Sequence, residues 1–368
     1  MKVILVRVVF LLLLTLVVGL KVDPVQTDYI TYWCAGHRLV RIQDPYNTQE
    51  IGQTERALGV DRKEVLVMRN PPWALFATIP IAWAGPRLGF LIWTFMISGA
   101  LFCSLYLFGI KDWVLPLLFA PVMVCFDLGQ TSIFLLLGFA LFLYLHEKHP
   151  FLAGISLLLV LFKPHLFILF GVILILDCVR RRNVSIVLGA ATAVIISSLF
   201  ALAFDPHVFA HYIASIQVSH LEIRILPALP TVIRFVIHPQ WVWIQFVPLG
   251  MGLGFAVWYY IRNRNQWNWR EHGMPLVMVG VLTSPYEWLG DEVLFVPVLM
   301  KRLGDPDVST KAKAFIIAVN TFVVLLTTVV NLGSGAFMWT TATWCLWYLY
   351  SGRVRNSPAK AVQLSNPS

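Results

Sequence analysis

The chain is cut into apolar blocks of roughly 12–22 residues, separated by short polar or charged stretches. Blocks of this length suit helices that cross, or half cross, a bilayer. They lack the polar–apolar alternation of barrel strands. The pattern therefore predicts an all-α polytopic membrane protein. Composition agrees: 58% of residues are hydrophobic and only 13% are charged, about half the charged share of a soluble domain. Lys and Arg outnumber Asp and Glu by 28 to 19. That excess falls largely between the apolar blocks. It reads as a positive-inside signal and contact with anionic membrane lipid, and not as a nucleic-acid surface. The five cysteines are scattered without metal or disulfide spacing, so no metal, cofactor or bridge is assigned.

Residues 1–20, "MKVILVRVVFLLLLTLVVGL", lack a good small-x-small cleavage site and read as a retained first span with Lys2 and Arg7 inside. Residues 21–70 then form a polar outer loop. A span at about 71–85 leads to Arg87 inside, and a return span follows at about 88–109. The proline-containing block 113–128 reads as re-entrant or interfacial. Further spans are expected at about 131–146, 150–162, 165–178, 184–204, 241–261, 274–287, 290–300, 314–330 and 335–350. Residues 205–240 form a second outer loop. The total is about twelve spans in one membrane domain, residues 1–350, followed by a polar cytoplasmic tail, 351–368. The basic clusters Arg180–Arg182, Arg262–Arg270 and Lys301–Lys313 all fall inside.

Four places set polar groups at membrane depth, where an ionisable residue is by default a functional candidate. Asp28 begins "DYITYWCAGHRLVRIQDPY", whose apolar positions 29, 32, 33, 36, 39 and 40 predict an amphipathic helix along the outer interface, with His37, Arg38 and Arg41 on its polar side. The bland reading of Asp28 is an N-cap. Asp127-Leu-Gly-Gln130 separates two apolar blocks and can be simply a helix end with a glycine stop. Lys163-Pro164-His165 interrupts a continuous apolar run. The proline frees backbone groups beside a cation, which suits an anionic ligand, whereas snorkelling is the bland alternative. Finally, "LTSPYEWLGDEVLF" places Glu287, Asp291 and Glu292 between two segments too short to cross comfortably. The second outer loop adds His207, His211, His220, Glu222, Arg224 and Arg234. Its histidines have no regular metal spacing, and "LPALPTVIRFV" reads as an amphipathic helix.

With these residues laid out, the chain resembles glycosyltransferase family 87, membrane enzymes of the GT-C fold akin to polyprenol-phosphate-mannose-dependent mannosyltransferases. The resemblance runs over most of residues 1–305. Its signs are the Asp28 motif, "NPPWALFATIPIAWAGPRLGFLIW", "DLGQTSIFLLLGFALFLYL", "HPFLAGISLLLVLFKPHLFIL" and "SPYEWLGDEVLFVPVLM". It implies that Asp28 is the catalytic base, and that Gln130 and the Lys163–Pro164 pair occupy family positions, as do Ser284, Pro285 and Trp288. Some relatives carry histidines where this chain has Gly290 and Asp291, so no histidine role transfers there.

The resemblance implies an inverting transfer. A hexose (mannose by family weighting) or a pentose leaves a polyprenyl-phosphate donor for an acceptor hydroxyl on a glycolipid, polysaccharide or protein. The active site would face outward from a bacterial inner or plasma membrane. Lys163, His165, Gln130, Arg38, Arg234, Tyr286 and Asp291 are the candidates to bind substrate or phosphate. A lipid-linked sugar transporter and an inert scaffold are the rival readings.

Overall fold

The computed structural model describes residues 2–60, 65–219, 225–330 and 332–353. The expectations on His220, Glu222, Arg224 and the tail beyond residue 353 lie outside that set. Among the described residues every element is helical. In a bilayer the helix is favoured because it satisfies its own backbone hydrogen bonds.

The chain runs α1 (Lys2–Lys21), α2 (Tyr29–Leu39), α3 (Thr48–Ala57), α4 (Ile79–Ala82) and α5 (Pro86–Leu107). Then come α6 (Val114–Leu117), α7 (Ala120–Leu128), α8 (Ser132–Leu145), α9 (Pro150–Val160), α10 (Ile168–Arg181) and α11 (Ser185–Phe204). After α12 (Val208–Val218) and α13 (Leu229–Ile237) follow α14 (Val247–Asn263), α15 (Trp269–Thr283), α16 (Val296–Leu303), α17 (Thr310–Thr328) and α18 (Thr340–Arg353). Proline sets many of the starts: Pro86, Pro121, Pro150, Pro230, Pro248 and Pro297 each stand in a first turn. There the missing N–H removes no intrahelical bond. α18 continues three residues past the expected start of the tail.

Among the described residues, four helical runs can cross a membrane alone by length and composition: α5, α11, the run Val242–Gln266 that contains α14, and α17. A fifth is possible if α7 and α8 count as one span, but the chain bends by 120° between them. α1, with 20 residues, is also long enough to cross, whereas the remaining apolar helices are shorter than the expected twelve crossings require; α9, with 11 residues, is only about 16 Å long. Close approach compensates in part. Gly154 of α9 and Gly189 of α11 let the two backbones meet, since a Cβ on either would lie 2.0 Å from a carbonyl oxygen of the other helix.

Two expectations about the path are corrected. Arg87 was expected at the end opposite Asp28. Instead it donates to Leu20 O at 3.0 Å and Val22 O at 3.3 Å, so it lies at the same end as the start of α2. The reason is that residues 72–82 make a seven-residue 3-10 turn and the four residues of α4, too short for a ~30 Å hydrocarbon core. α5 then leads away from that end, and α6 and α7 bring the chain back toward it. Block 113–128 therefore approaches from the far end, not as a loop dipping in from the Asp28 side. Gln130 and Lys163 end up beside Asp28 either way.

The second correction concerns α2. It does not lie along a surface: Tyr29–Gly36 and Leu39 are all buried. Segment 72–84 covers it, with Trp33 Nε1 donating to Ala84 O at 2.8 Å and Gly36 pressed on Thr78. At the far end the basic clusters gather. Arg181 donates to Trp267 O at 2.9 Å, Arg270 to Leu143 O at 3.3 Å, and Lys301 sits over the Phe108 ring at 5.8 Å.

Candidate active site

Asp23 caps a short 3-10 turn at Pro24–Gln26, and the Thr27 hydroxyl donates to Pro24 O at 2.9 Å. This turn ends the first helix segment and starts α2 with Asp28 at its N-cap. The cap reading has the position right, yet the Asp28 side chain makes no capping bond. Its Oδ2 instead accepts a short hydrogen bond from Gln130 Nε2. Asp28 stays half-buried while Tyr29 and Ile30 beside it are fully covered. The Tyr32 hydroxyl lies 3.5 Å from Gln130 Oε1. Burial, and then the charge of Asp28, hold the Tyr32 pKa well above its ordinary value, so the phenol is a neutral donor.

Gln130 is delivered by the break between α7 and α8. Gly129 ends α7 at φ +66°, and a Cβ there would meet the Tyr29 Cβ at 2.7 Å. Only glycine suits both demands. The helix-stop reading of this motif holds, and the stop turns Gln130 toward Asp28.

Lys163 stands at the break between α9 and α10. The backbone carbonyls freed there are taken by Asn70 Nδ2, 3.3 Å from Phe162 O, and by Trp73 Nε1, 2.9 Å from Leu161 O. Lys163 Nζ reaches Asp291 Oδ1 at 2.6 Å, Ser132 Oγ at 3.1 Å and Gln130 Oε1 at 3.4 Å. Three acceptors match the three protons of an ammonium. Asp291 is fully buried, takes a 2.5 Å hydrogen bond from the Ser132 hydroxyl, and accepts from Trp288 N at 3.0 Å. The result is one chain of contacts, Asp28–Gln130–Lys163–Asp291, drawn from four distant parts of the sequence.

A cavity of about 370 Å³ opens on this chain, with Asp28, Gln130 and Lys163 on its wall. Asp291 sits behind Lys163. The remaining candidates fall elsewhere. Arg38 donates to Asp44 O at 2.7 Å and pairs with Glu50 at 3.5 Å. His165 and Tyr286 face each other with ring centroids 6.5 Å apart. Arg234 is buried over the Phe235 ring at 4.8 Å. None of these four lines the cavity. Glu287 and Glu292 turn the other way, fully buried: the Thr341 hydroxyl lies within hydrogen-bond reach of both, and Trp344 Nε1 donates to Glu292 Oε2 at 2.6 Å.

Residues that sequence reasoning passed over, Arg69 and Asn70, also form the wall, together with Asp127 and Trp288 from the motifs already noted, and the Arg69 guanidinium sits 5.9 Å over the Trp288 ring. Arg69 gave a weak signal, a cation directly before the "NPPW" run, which looked like a membrane boundary.

The model of glycosyltransferase family 87 matches residues 69–285, more than half of the chain. The chain belongs to glycosyltransferase family 87. No curated protein and no solved structure matches it. This integral membrane glycosyltransferase is therefore an enzyme that needs a sugar donor and an acceptor, and the transporter reading is not favoured. Within the matched region lie Arg69, Gln130 and Lys163. Asp28 and Asp291 lie outside it and join the site through the contacts above.

Proposed function

We propose that the enzyme transfers a hexose, mannose by family weighting, from a polyprenyl-phosphate donor to an acceptor hydroxyl with inversion of configuration, and that Asp28 is the general base. The observation that carries this reading is the Asp28 carboxylate: it stands at a helix start without capping it, is held by Gln130, and faces a cavity large enough for a sugar. A base so placed takes the acceptor proton as the glycosidic bond forms. The departing phosphate is already a stable anion, so no paired acid is needed, in contrast to a glycosidase. Charge developing on the phosphate calls for cations. Arg69 is on the wall and offers direct contact, whereas Lys163, with its three protons engaged, acts mainly by fixing Gln130 and hence Asp28.

A lipid-borne donor is favoured by an apolar groove of about 300 Å³ between α6–α7, α16 and α17. Its Met123 and Val324 are sequence and helix-turn neighbours of Val124 and Thr327 on the cavity wall, so a tail in the groove meets a head group in the cavity. The Asp28 end faces outward in this reading, with the basic clusters inside.

The test is sugar transfer by purified enzyme in liposomes. A labelled polyprenyl-phosphate sugar should support transfer with inverted product anomer by NMR, and a nucleotide sugar alone should not. Efficient transfer from the nucleotide sugar would overturn the donor assignment. Cysteines at positions 87 and 181 test orientation in intact cells. An impermeant reagent should label the first and spare the second.

A further inference from the structure

We propose that Asp44, Asp205 and His211 form a binding site for a divalent transition-metal ion, zinc being the best match, that ties the loop after α2 to the start of α12. This inference is separate from the transfer reaction. The three side chains come from three segments: the turn after α2, the C-cap of α11, and the first turn of α12. Their ligand atoms all lie within 4.8 Å of one another. His211 Nδ1 is 2.7 Å from Asp205 Oδ2 and 3.4 Å from Asp44 Oδ1. Donors that bind zinc at about 2.0–2.2 Å sit about 3.3 Å apart around a tetrahedron, so small shifts would admit an ion.

Both carboxylates are held in place by backbone. His207 N donates to Asp205 Oδ1 at 2.9 Å and Tyr46 N donates to Asp44 Oδ1 at 2.8 Å. This leaves Asp205 Oδ2 turned toward the imidazole. Asp205 is buried, with 6% of its surface exposed. Two carboxylates and a neutral imidazole carry a charge of minus two, which a divalent ion balances; a protonated His211 would leave one negative charge over. Mixed imidazole and carboxylate donors suit zinc and its neighbours better than magnesium or calcium, which prefer oxygen alone. The Tyr46 and Tyr212 rings pack at 5.3 Å beside the cluster and join the same two segments. No sequence spacing reveals the site, because Asp44 is distant in the chain from Asp205 and His211.

The experiment uses the full chain without a histidine tag, purified in detergent. Elemental analysis should find close to one zinc per chain after purification, or after zinc is added and excess removed. Stripping the ion with a chelator should lower the melting temperature by about 2–4 °C or more, and zinc should restore it. Asp205→Asn and His211→Gln should each weaken zinc binding at least ~10-fold by calorimetry. The site is wrong if the wild type neither retains nor binds zinc and the chelator leaves its melting temperature unchanged. It is equally wrong if both variants bind zinc as tightly as the wild type. Chelation and re-addition on the wild type decide the matter even where a variant fails to fold.

Discussion

The two ends of the helical bundle each place a cavity of about 370 Å³ beside a carboxylate with cations in reach. At the far end the acid is Asp177. Its Oδ1 accepts from Arg181 at 2.9 Å, Tyr260 at 3.0 Å and Arg180 at 3.4 Å, and its Oδ2 from Trp269 at 3.1 Å. Four donors leave little lone-pair capacity for a further proton. The two arginine side chains are 37% and 47% exposed, so solvent screens them and they serve as a fastener of α10 to α14 and α15. At the Asp28 end the part-buried Lys163 has Asp291 as its closest partner, not the acid on the wall. Asp28 is held by an amide and remains half-buried. In the proposed reading, the same residue types give a staple at one end and a reactive carboxylate at the other. What differs is which donors hold the acid and whether it faces a space that a substrate can enter.

The largest test of that contrast is Asp28→Asn. Asparagine fits an N-cap position and Asp28 makes no capping bond to lose, so the melting temperature should change little. Sugar transfer should fall about 100-fold or more, as on losing a general base. Full activity in this variant would remove the distinction between the two ends.

Next is Lys163→Gln. It leaves Asp291 fully buried without its countercharge, which should cost roughly 3–5 kcal/mol in denaturant unfolding. Transfer should fall at least ~10-fold, while Lys163→Arg keeps a part because charge is retained but shape is not. Adding Asp291→Asn to Lys163→Gln should recover stability without recovering transfer, which separates the fold's need for the pair from the chemistry's.

Asp177→Asn should do the reverse of Asp28→Asn. Stability should drop by about 1–3 kcal/mol as the charge-assisted bonds weaken. Transfer per folded molecule, measured at a temperature where the variant remains folded, should stay within about twofold. Smallest of all is Arg38→Gln. Its ion pair with Glu50, whose side chain is 49% exposed, is worth at most about 1 kcal/mol, and Arg38 does not line the cavity. Transfer within about twofold of wild type is expected; a large loss would return Arg38 to the substrate site.

Much of the site was legible because it broke a local rule. Lys163 beside a proline in an apolar run, Gln130 after a glycine stop, and Asp28 at a membrane exit each stand out from their own neighbours, since a polar group in such surroundings has a free-energy cost that something must offset. Arg69 did not stand out, because an arginine before a proline run is ordinary at a membrane boundary. Arg38, Arg234, His165 and Tyr286 did stand out, and the fold turns them to other partners.

That this is a helical membrane protein, where proline starts its helices, and which polar residues at depth need a reason can all be read along the chain. Hydropathy, proline geometry and charge act over a few residues, so a linear reading captures them. Packing alone sets that segment 72–82 stays at the Asp28 end and covers α2, that Asp291 is the partner of Lys163, that Asp28 is held by Gln130 and not by its own helix, and that Asp44, Asp205 and His211 meet. Each of these rests on contacts between segments far apart in the chain; Gln130 lies 102 residues from Asp28, and Asp291 lies 128 from Lys163. Which distant groups meet is set by how the helices pack, and no local periodicity records it.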